Sequence, residues 1–313
     1  MRIFLSIASY CDPVLPFTLQ RAVETASAPQ RLHFGVVEQS TAGGPRIDLS
    51  GPARLTQVQL LARDARGPCW ARAIAMSLSD GEDWFLQLDS HMDFDPGWDE
   101  QLIAQAMALG APERRLVLST YPQAFRFVEG QAVRQVPDPG VLVQVVKAGA
   151  RFEPGHPVLP FEAQPVDTDA AVPAFHLGAG CLFAPGRIAQ LFPYDPWLYF
   201  HGEEQALALR LYTHGWDLFH VPALPIHHLY NDEGSGAARR PLHWDAQQEA
   251  GRDVHWWTHE QRSRARLGAL VAGEDLGAYG LGRQRSLADF AAFSGIDYAA
   301  RTLSPAAHLP RSR

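Results

Sequence analysis

The first hundred residues of this 313-residue chain alternate strand-like and helix-like runs, and this alternation limits the fold more than any other feature. Residues 3–9 read as a strand, and residues 13–26 as a helix with Asp12 as N-cap and proline at its first position. Residues 32–37 form a second strand pattern, with a turn-rich stretch around Gly43-Gly44-Pro45 after it. A third strand is expected over 58–62, a helix over 70–78 and a strand over 84–88. Strands separated by helices are joined by crossovers. The expectation is therefore an α/β chain whose mixed, mainly parallel sheet is flanked by helices, with ligands collecting at the carboxyl ends of the strands.

The middle of the chain is patterned differently. Residues 116–120, 125–128, 132–136 and 141–147 look like strands punctuated by Gly and Pro, which implies a mixed sheet or a side ribbon. A short strand at 180–184 follows, then a helix at 203–213 ended by Gly215 and a strand at 217–221. Beyond about Asn231 the chain turns polar, with Gly234-Ser235-Gly236 as a loop and a helix expected over 256–271. This divides the chain into a main domain at 1–231, a helical C-terminal cap at 232–300 packed on the active site, and a flexible tail at 301–313.

Composition excludes several classes. A formal charge of −7 leaves no basic footprint for nucleic acid and no polybasic membrane anchor. No run approaches the ~18 apolar residues of a membrane span, and the apolar start is too short for a signal peptide, so a cytoplasmic protein is expected. Cys11, Cys69 and Cys181 are odd in number and far apart, which supports neither a disulfide framework nor a zinc–thiolate site.

The chemistry-bearing residues gather after strand ends. Asp89, Ser90 and His91 follow the strand at 84–88, and in extended chain residues i and i+2 share a side, so Asp89 and His91 converge on one point. The pair His227-His228 after Ile226 offers a third ligand, because one carboxylate with two imidazoles is a recurrent set for Mn, Fe or Zn. Glu203 and Glu204 follow Gly202 at a helix start, where carboxylates are favoured by the helix dipole. They read either as plain caps or as groups contacting a sugar or acceptor hydroxyl. Asp93, Asp95 and Asp99 read either as metal-tuning groups or as turn residues around Pro96-Gly97.

Several runs together resemble the cytoplasmic polypeptide N-acetylglucosaminyltransferases that modify hydroxyproline. They are Ser6-Ile7-Ala8-Ser9-Tyr10-Cys11-Asp12-Pro13, Gly67-Pro68-Cys69-Trp70-Ala71-Arg72 and the long stretch Trp84-Phe85-Leu86-Gln87-Leu88-Asp89-Ser90-His91-Met92-Asp93-Phe94 with Gly97-Trp98-Asp99. Late in the chain Tyr279-Gly280-Leu281-Gly282 and Phe293-Ser294-Gly295-Ile296-Asp297 carry the same likeness. A more distant similarity is to the mucin-type polypeptide N-acetylgalactosaminyltransferases. Their D-S-H falls on Asp89, Ser90 and His91, their G-G-E-N resembles His201-Gly202-Glu203-Glu204, and their third metal histidine falls on His228. His201, Glu204 and Cys11 depart from these patterns.

Both resemblances imply the GT-A fold, a UDP-sugar donor, most simply UDP-GlcNAc, a Mn or Mg requirement, retention of anomeric configuration and a polypeptide or glycan acceptor. They further imply metal ligation by Asp89, His91 and His228, with Ser90 beside the donor. Tyr10 and Asp12 would face base and ribose, and Arg72 either faces the diphosphate or is a solvated helix side chain. Two other readings stand beside this one. An inactive relative would bind a nucleotide sugar without turning it over, and an iron oxygenase would use the same three ligand types in an all-β barrel.

Overall fold

Alternate side chains of the strand Ile3–Tyr10 (β1) enter two different cores. Ile3, Leu5 and Ile7 join one buried cluster and Phe4 the other. A strand that is apolar on both faces belongs in the middle of a covered sheet, and β1 lies there. In the computed structural model, which describes residues 1–41, 47–135 and 140–311, β1 is followed by helix α1 (Leu15–Thr25), β2 (Leu32–Ser40), β3 (Arg54–Leu61), α2 (Pro68–Met76) and β4 (Trp84–Leu88). The pairs β1–β2, β1–β4 and β2–β3 are all parallel. The Gly43-Gly44-Pro45 turn and Val136 lie outside the described residues.

Next come β5 (Met92–Phe94), α3 (Trp98–Ala108), β6 (Leu116–Leu118), β7 (Gln123–Val128), β8 (Gln131–Arg134), β9 (Val141–Val146), β10 (Phe161–Val166), β11 (Val172–Ala174), β12 (Cys181–Pro185) and α4 (Ile188–Leu191). Then follow α5 (Glu203–Thr213), β13 (Asp217–His220) and β14 (Ile226–His228). The main sheet runs β11-β13-β6-β12-β4-β1-β2-β3, with β12 antiparallel to both of its neighbours. The mixed, mainly parallel α/β sheet expected from the alternation is the sheet observed. α3 does not stand out in the sequence because Pro96-Gly97 reads as a turn. Trp98, Leu102 and Ala106, spaced by one helical turn, bury its inner face.

A second sheet, β5-β14-β7-β8, sits beyond the end of β4, and β9 and β10 form a separate ribbon. The second sheet decides the site. β14 pairs antiparallel with β5, placing His228 opposite Met92, and the Leu229 N–H donates to the His91 carbonyl at 3.0 Å. Thr18 of α1 holds the preceding turn: its hydroxyl donates to the Ser90 carbonyl at 2.9 Å and accepts the Met92 N–H at 2.8 Å.

The C-terminal part contains α6 (Ala246–Glu249), α7 (Trp256–Val271) and α8 (Leu287–Ser294), and Leu267 and Leu270 of α7 enter the core behind α2 and α5. Among the described residues no helix is long and apolar enough to cross a membrane. Where the sequence suggests a flexible tail, residues 301–311 pack back on the body. Thr302 pairs with Asp297, Ala307 is buried, and the His308 ring meets the Val146 carbonyl at 2.9 Å. Apolar and backbone partners on β9 and α8, invisible in a Pro/Arg-rich run, give that segment its place.

His220, at the end of β13, is fully buried and neutral by construction. Its Nδ1–H faces the Ser119 carbonyl and its Nε2 accepts the Gln144 N–H at 3.2 Å. Burial lowers its pKa from 6.5 to about 4. The unfolded chain therefore takes up a proton as pH falls through about 6.5 while the fold refuses it until about 4. Stability present above that window is lost across it, up to about 3 kcal/mol from this group. Urea midpoints measured between pH 7 and pH 4 should fall less steeply in His220→Asn than in the natural protein.

Candidate functional site

A cavity of about 720 Å³ opens at the carboxyl ends of β1 and β4, a volume within the usual range for small-molecule sites. Asp89, Ser90 and His91 enter it from β4, His228 from β14, and Tyr10 and Asp12 from β1. Cys11 stands between the last two with φ 47, a left-handed kink at the end of β1.

Asp89, His91 and His228 each present one ligand atom, all within 4.8 Å of one another. The rings of His91 and His228 meet edge to face at 4.7 Å, and His228 Nε2 lies 3.4 Å from Asp89 Oδ2. Burial pushes the Asp89 carboxyl up, but the His228 hydrogen bond and the charge of Arg72 outweigh it and hold it well below the usual carboxylate range. His227, the next residue on an extended strand, points the other way, with Nε2 3.2 Å from Asp95. The structure thus brings together the three expected ligands and separates the neighbouring histidine from them.

Two features suit that cluster to a cation. Asp12 Oδ2 takes the His91 Nδ1–H at 2.7 Å, which fixes the tautomer and leaves Nε2 free to ligate. Gly180 lies against Asp89, where an added Cβ would stand 2.4 Å from Oδ2. Carboxylate plus two imidazoles is also a donor set that accepts Mn. The residues fit a divalent ion.

Several expected roles change. Asp12 does not cap α1 directly, since the helix begins at Leu15 and Asp12 Oδ1 accepts the Val14 N–H at 2.8 Å in the turn before it. Its other oxygen holds His91 and the Ser90 hydroxyl at 2.6 Å, so Asp12 and Ser90 support the ligands. Arg72 is neither solvated nor free. It is buried, with Nη2 2.7 Å from Asp89 Oδ1 and Nη1 on Glu203. Glu203 is buried too, and its Oε1 is taken by Arg72 and by the Tyr194 hydroxyl. Glu203 lines the cavity, but that oxygen is committed to protein partners.

Glu204 also faces the cavity. Its Oε1 accepts the Ala179 N–H at 2.8 Å, and its Oε2 lies 3.5 Å from Nε2 of the buried His176, which stacks flat on Phe161. Burial raises the Glu204 carboxyl, but the contact with His176 more than offsets this and leaves it below its ordinary value. The Tyr10 hydroxyl is also committed, donating to Gln248 at 2.8 Å and accepting from Arg252 at 2.6 Å. Asp93 and Asp95 turn away from the metal cluster toward Arg134, and Asp99 caps the chain at Ser27 and Ala28. Tyr194, His176 and Phe161 carry no motif, and only the fold shows that they belong here.

A mixed sheet with a ligand cluster at the carboxyl edge of β4 defines the class: the chain has the GT-A glycosyltransferase fold. A family model described as Glycosyltransferase (GlcNAc) matches residues 2–50 and 48–300, and the chain belongs to that family. Among solved structures, GalNAc-T7 with UDP, GalNAc and Mn2+ is similar at 14% identity and TM-score 0.53, over 76% of this chain and 46% of that one. At that identity the likeness speaks for the fold alone, and the chain spans under half the length of that relative. S. aureus TarS 1-349 is more remote, with TM-score 0.42 and 12% identity over 84% of this chain and 69% of that one, and carries no weight in the argument. No curated protein matches the sequence. The oxygenase reading falls with the fold, because it requires an all-β barrel.

Gly180→Ala should force Asp89 out of place. Mn affinity, read by titration, should drop about tenfold or more (~1.4 kcal/mol), while the thermal midpoint moves little.

Proposed function

We propose that this protein transfers a sugar, N-acetylglucosamine from UDP-GlcNAc, to a hydroxyl of a polypeptide or glycan, with a Mn or Mg ion held by Asp89, His91 and His228. The observation that carries the reading is the convergence of those three side chains at the end of β4 in a cavity rich in carboxylates. Asp12, Asp89, Glu203 and Glu204 outnumber Arg72 and Arg240 around it. Such a cavity repels a diphosphate until a cation is added. GalNAc-T7, which shares the fold, is described with UDP, GalNAc and Mn2+, and this supports a nucleotide-sugar donor and a metal. The hydroxyproline acceptor and the cytoplasmic setting rest on the motif resemblance.

A bound divalent ion would neutralise the diphosphate as the bond to the sugar breaks. The protein's own groups do the rest. Tyr194 holds Glu203, Glu203 holds Arg72, Arg72 holds Asp89, and Asp12 holds His91 in its ligating tautomer. Glu204, backed by His176, orients sugar or acceptor hydroxyls. With no other carboxylate placed as a nucleophile in this reading, the acceptor oxygen attacks the anomeric carbon from the leaving-group face. Its proton passes to the departing diphosphate, and configuration is retained. Residues 232–300 act as a cap: Arg240 to Trp244 already line the cavity.

Incubation with a panel of nucleotide sugars and Mn tests the whole reading. UDP release from UDP-GlcNAc should be abolished by EDTA and restored by Mn, and donor binding without release would favour the inactive relative. His228→Ala should weaken Mn binding about tenfold or more in the presence of UDP, whereas His227→Ala should change it little.

The two glutamates should separate. Glu204→Gln should lower turnover while UDP affinity stays within about twofold, because its contacts matter chiefly in the transition state. Glu203→Gln, which loosens Arg72 and through it Asp89, should weaken Mn and UDP binding along with the rate. Calorimetry set beside initial rates distinguishes the patterns.

A further inference from the structure

Arg72, the cation expected at the diphosphate, is already spent on Glu203 and Asp89. A second guanidinium lines the same cavity. Arg240 is buried, and the structure pins it at three points. Its backbone N–H donates to Asn231 Oδ1 at 3.1 Å, its carbonyl accepts from Asn231 Nδ2 at 3.2 Å, and its Nη2 donates to the Leu229 carbonyl at 2.6 Å. Leu229 and Asn231 follow directly on His228, so this anchorage ties Arg240 to the strand that carries a metal ligand.

Its Nη1 is different, being buried without any hydrogen-bond partner. A buried guanidinium N–H left unpaired is costly, because burial strips water from a charge. The charged groups nearest to it in effect are Asp12, Asp89 and Asp232, and none of them bonds to it. Arg240 lines the cavity, and a fixed, positive side chain with an unsatisfied donor just behind the cavity wall is what a phosphate oxygen requires.

We infer that Arg240 is the protein's direct ligand for the diphosphate of the donor, with Nη1 donating to a phosphate oxygen opposite the metal cluster. The inference rests on the nucleotide-sugar reading and adds a residue to it. Arg240 binds the anion from the cap side, and Asp89, His91 and His228 bind it through the cation from the sheet side. The polar stretch after Asn231 thereby completes the donor site.

The test uses the full chain with Mn and three probes: inorganic pyrophosphate, UDP and uridine. Arg240→Gln should weaken pyrophosphate and UDP by about tenfold or more, as expected for loss of a charge-assisted hydrogen bond. Uridine and Mn affinities should stay within about twofold. Arg240→Lys, which keeps the charge, should recover part of the pyrophosphate affinity, and thermal melting checks that both variants fold. Unchanged pyrophosphate affinity in Arg240→Gln would overturn the inference. So would an equal loss of uridine affinity, which would mark Arg240 as loop packing alone. Failure of the natural protein to bind UDP would refute the donor reading, while the claim for Arg240 would still be decided by pyrophosphate.

Discussion

Arg72 lies buried between Glu203 and Asp89, and the geometry of the whole site hangs from that contact. Taking three charged groups out of water is costly, and such an arrangement is seldom a net source of stability. What it supplies is position. Asp89 sits at the last turn of β4 with one oxygen fixed by Arg72, so its other oxygen points at His228 and at the gap left by Gly180. The Tyr194 hydroxyl donates to Glu203, and the buried Cys69 lies beside the pair. The carboxylate is therefore set before any cation arrives.

The histidines are fixed by a different force, the pairing of two short strands. β5 begins one residue after His91 and β14 ends at His228, so the antiparallel register between them brings together side chains far apart in sequence. Thr18 secures the β4–β5 turn from α1, and Asp12 secures the His91 ring from β1. Helix α1, the main sheet and the second sheet each contribute one restraint to a single point. This explains why the chain builds a second sheet beside the first.

Much of this was legible in the sequence. The alternation of β and α patterns announced the parallel core, and the strand at 84–88 and the helices at 203–213 and 256–271 coincide with the observed elements. The opposed faces of His227 and His228 follow from extended-chain periodicity alone, whereas Asp89 and His91 converge through a bend at Ser90 and His91 rather than along a strand. Other features depend on tertiary contacts and leave no local trace. Nothing in Gly202-Glu203-Glu204 tells that the first glutamate turns inward to Arg72 while the second faces the cavity. Tyr194 and His176 act through partners contributed by α5, and α3 follows a Pro-Gly pair that reads as a turn.

The C-terminal part is joined to the Tyr10 side of the cavity by a polar cluster. Arg252, nearly buried, donates to the carbonyls of Ala62, Ala65 and Gln248 and to the Tyr10 hydroxyl. Beside it, His243 bonds the Tyr199 hydroxyl at 2.6 Å and the Ala65 carbonyl at 3.0 Å. Burial first, and the charge of Arg252 next, lower the His243 pKa to about 3, so that ring stays neutral. Burial likewise pushes the Tyr10 hydroxyl up to about 12. Because that hydroxyl is already bonded on both sides, Tyr10 has only its ring to offer a ligand in the cavity. The segment from Arg240 to Trp244 thus belongs to the cavity wall, and His243 and Arg252 fasten it to Ala65 and to Tyr10 at the end of β1.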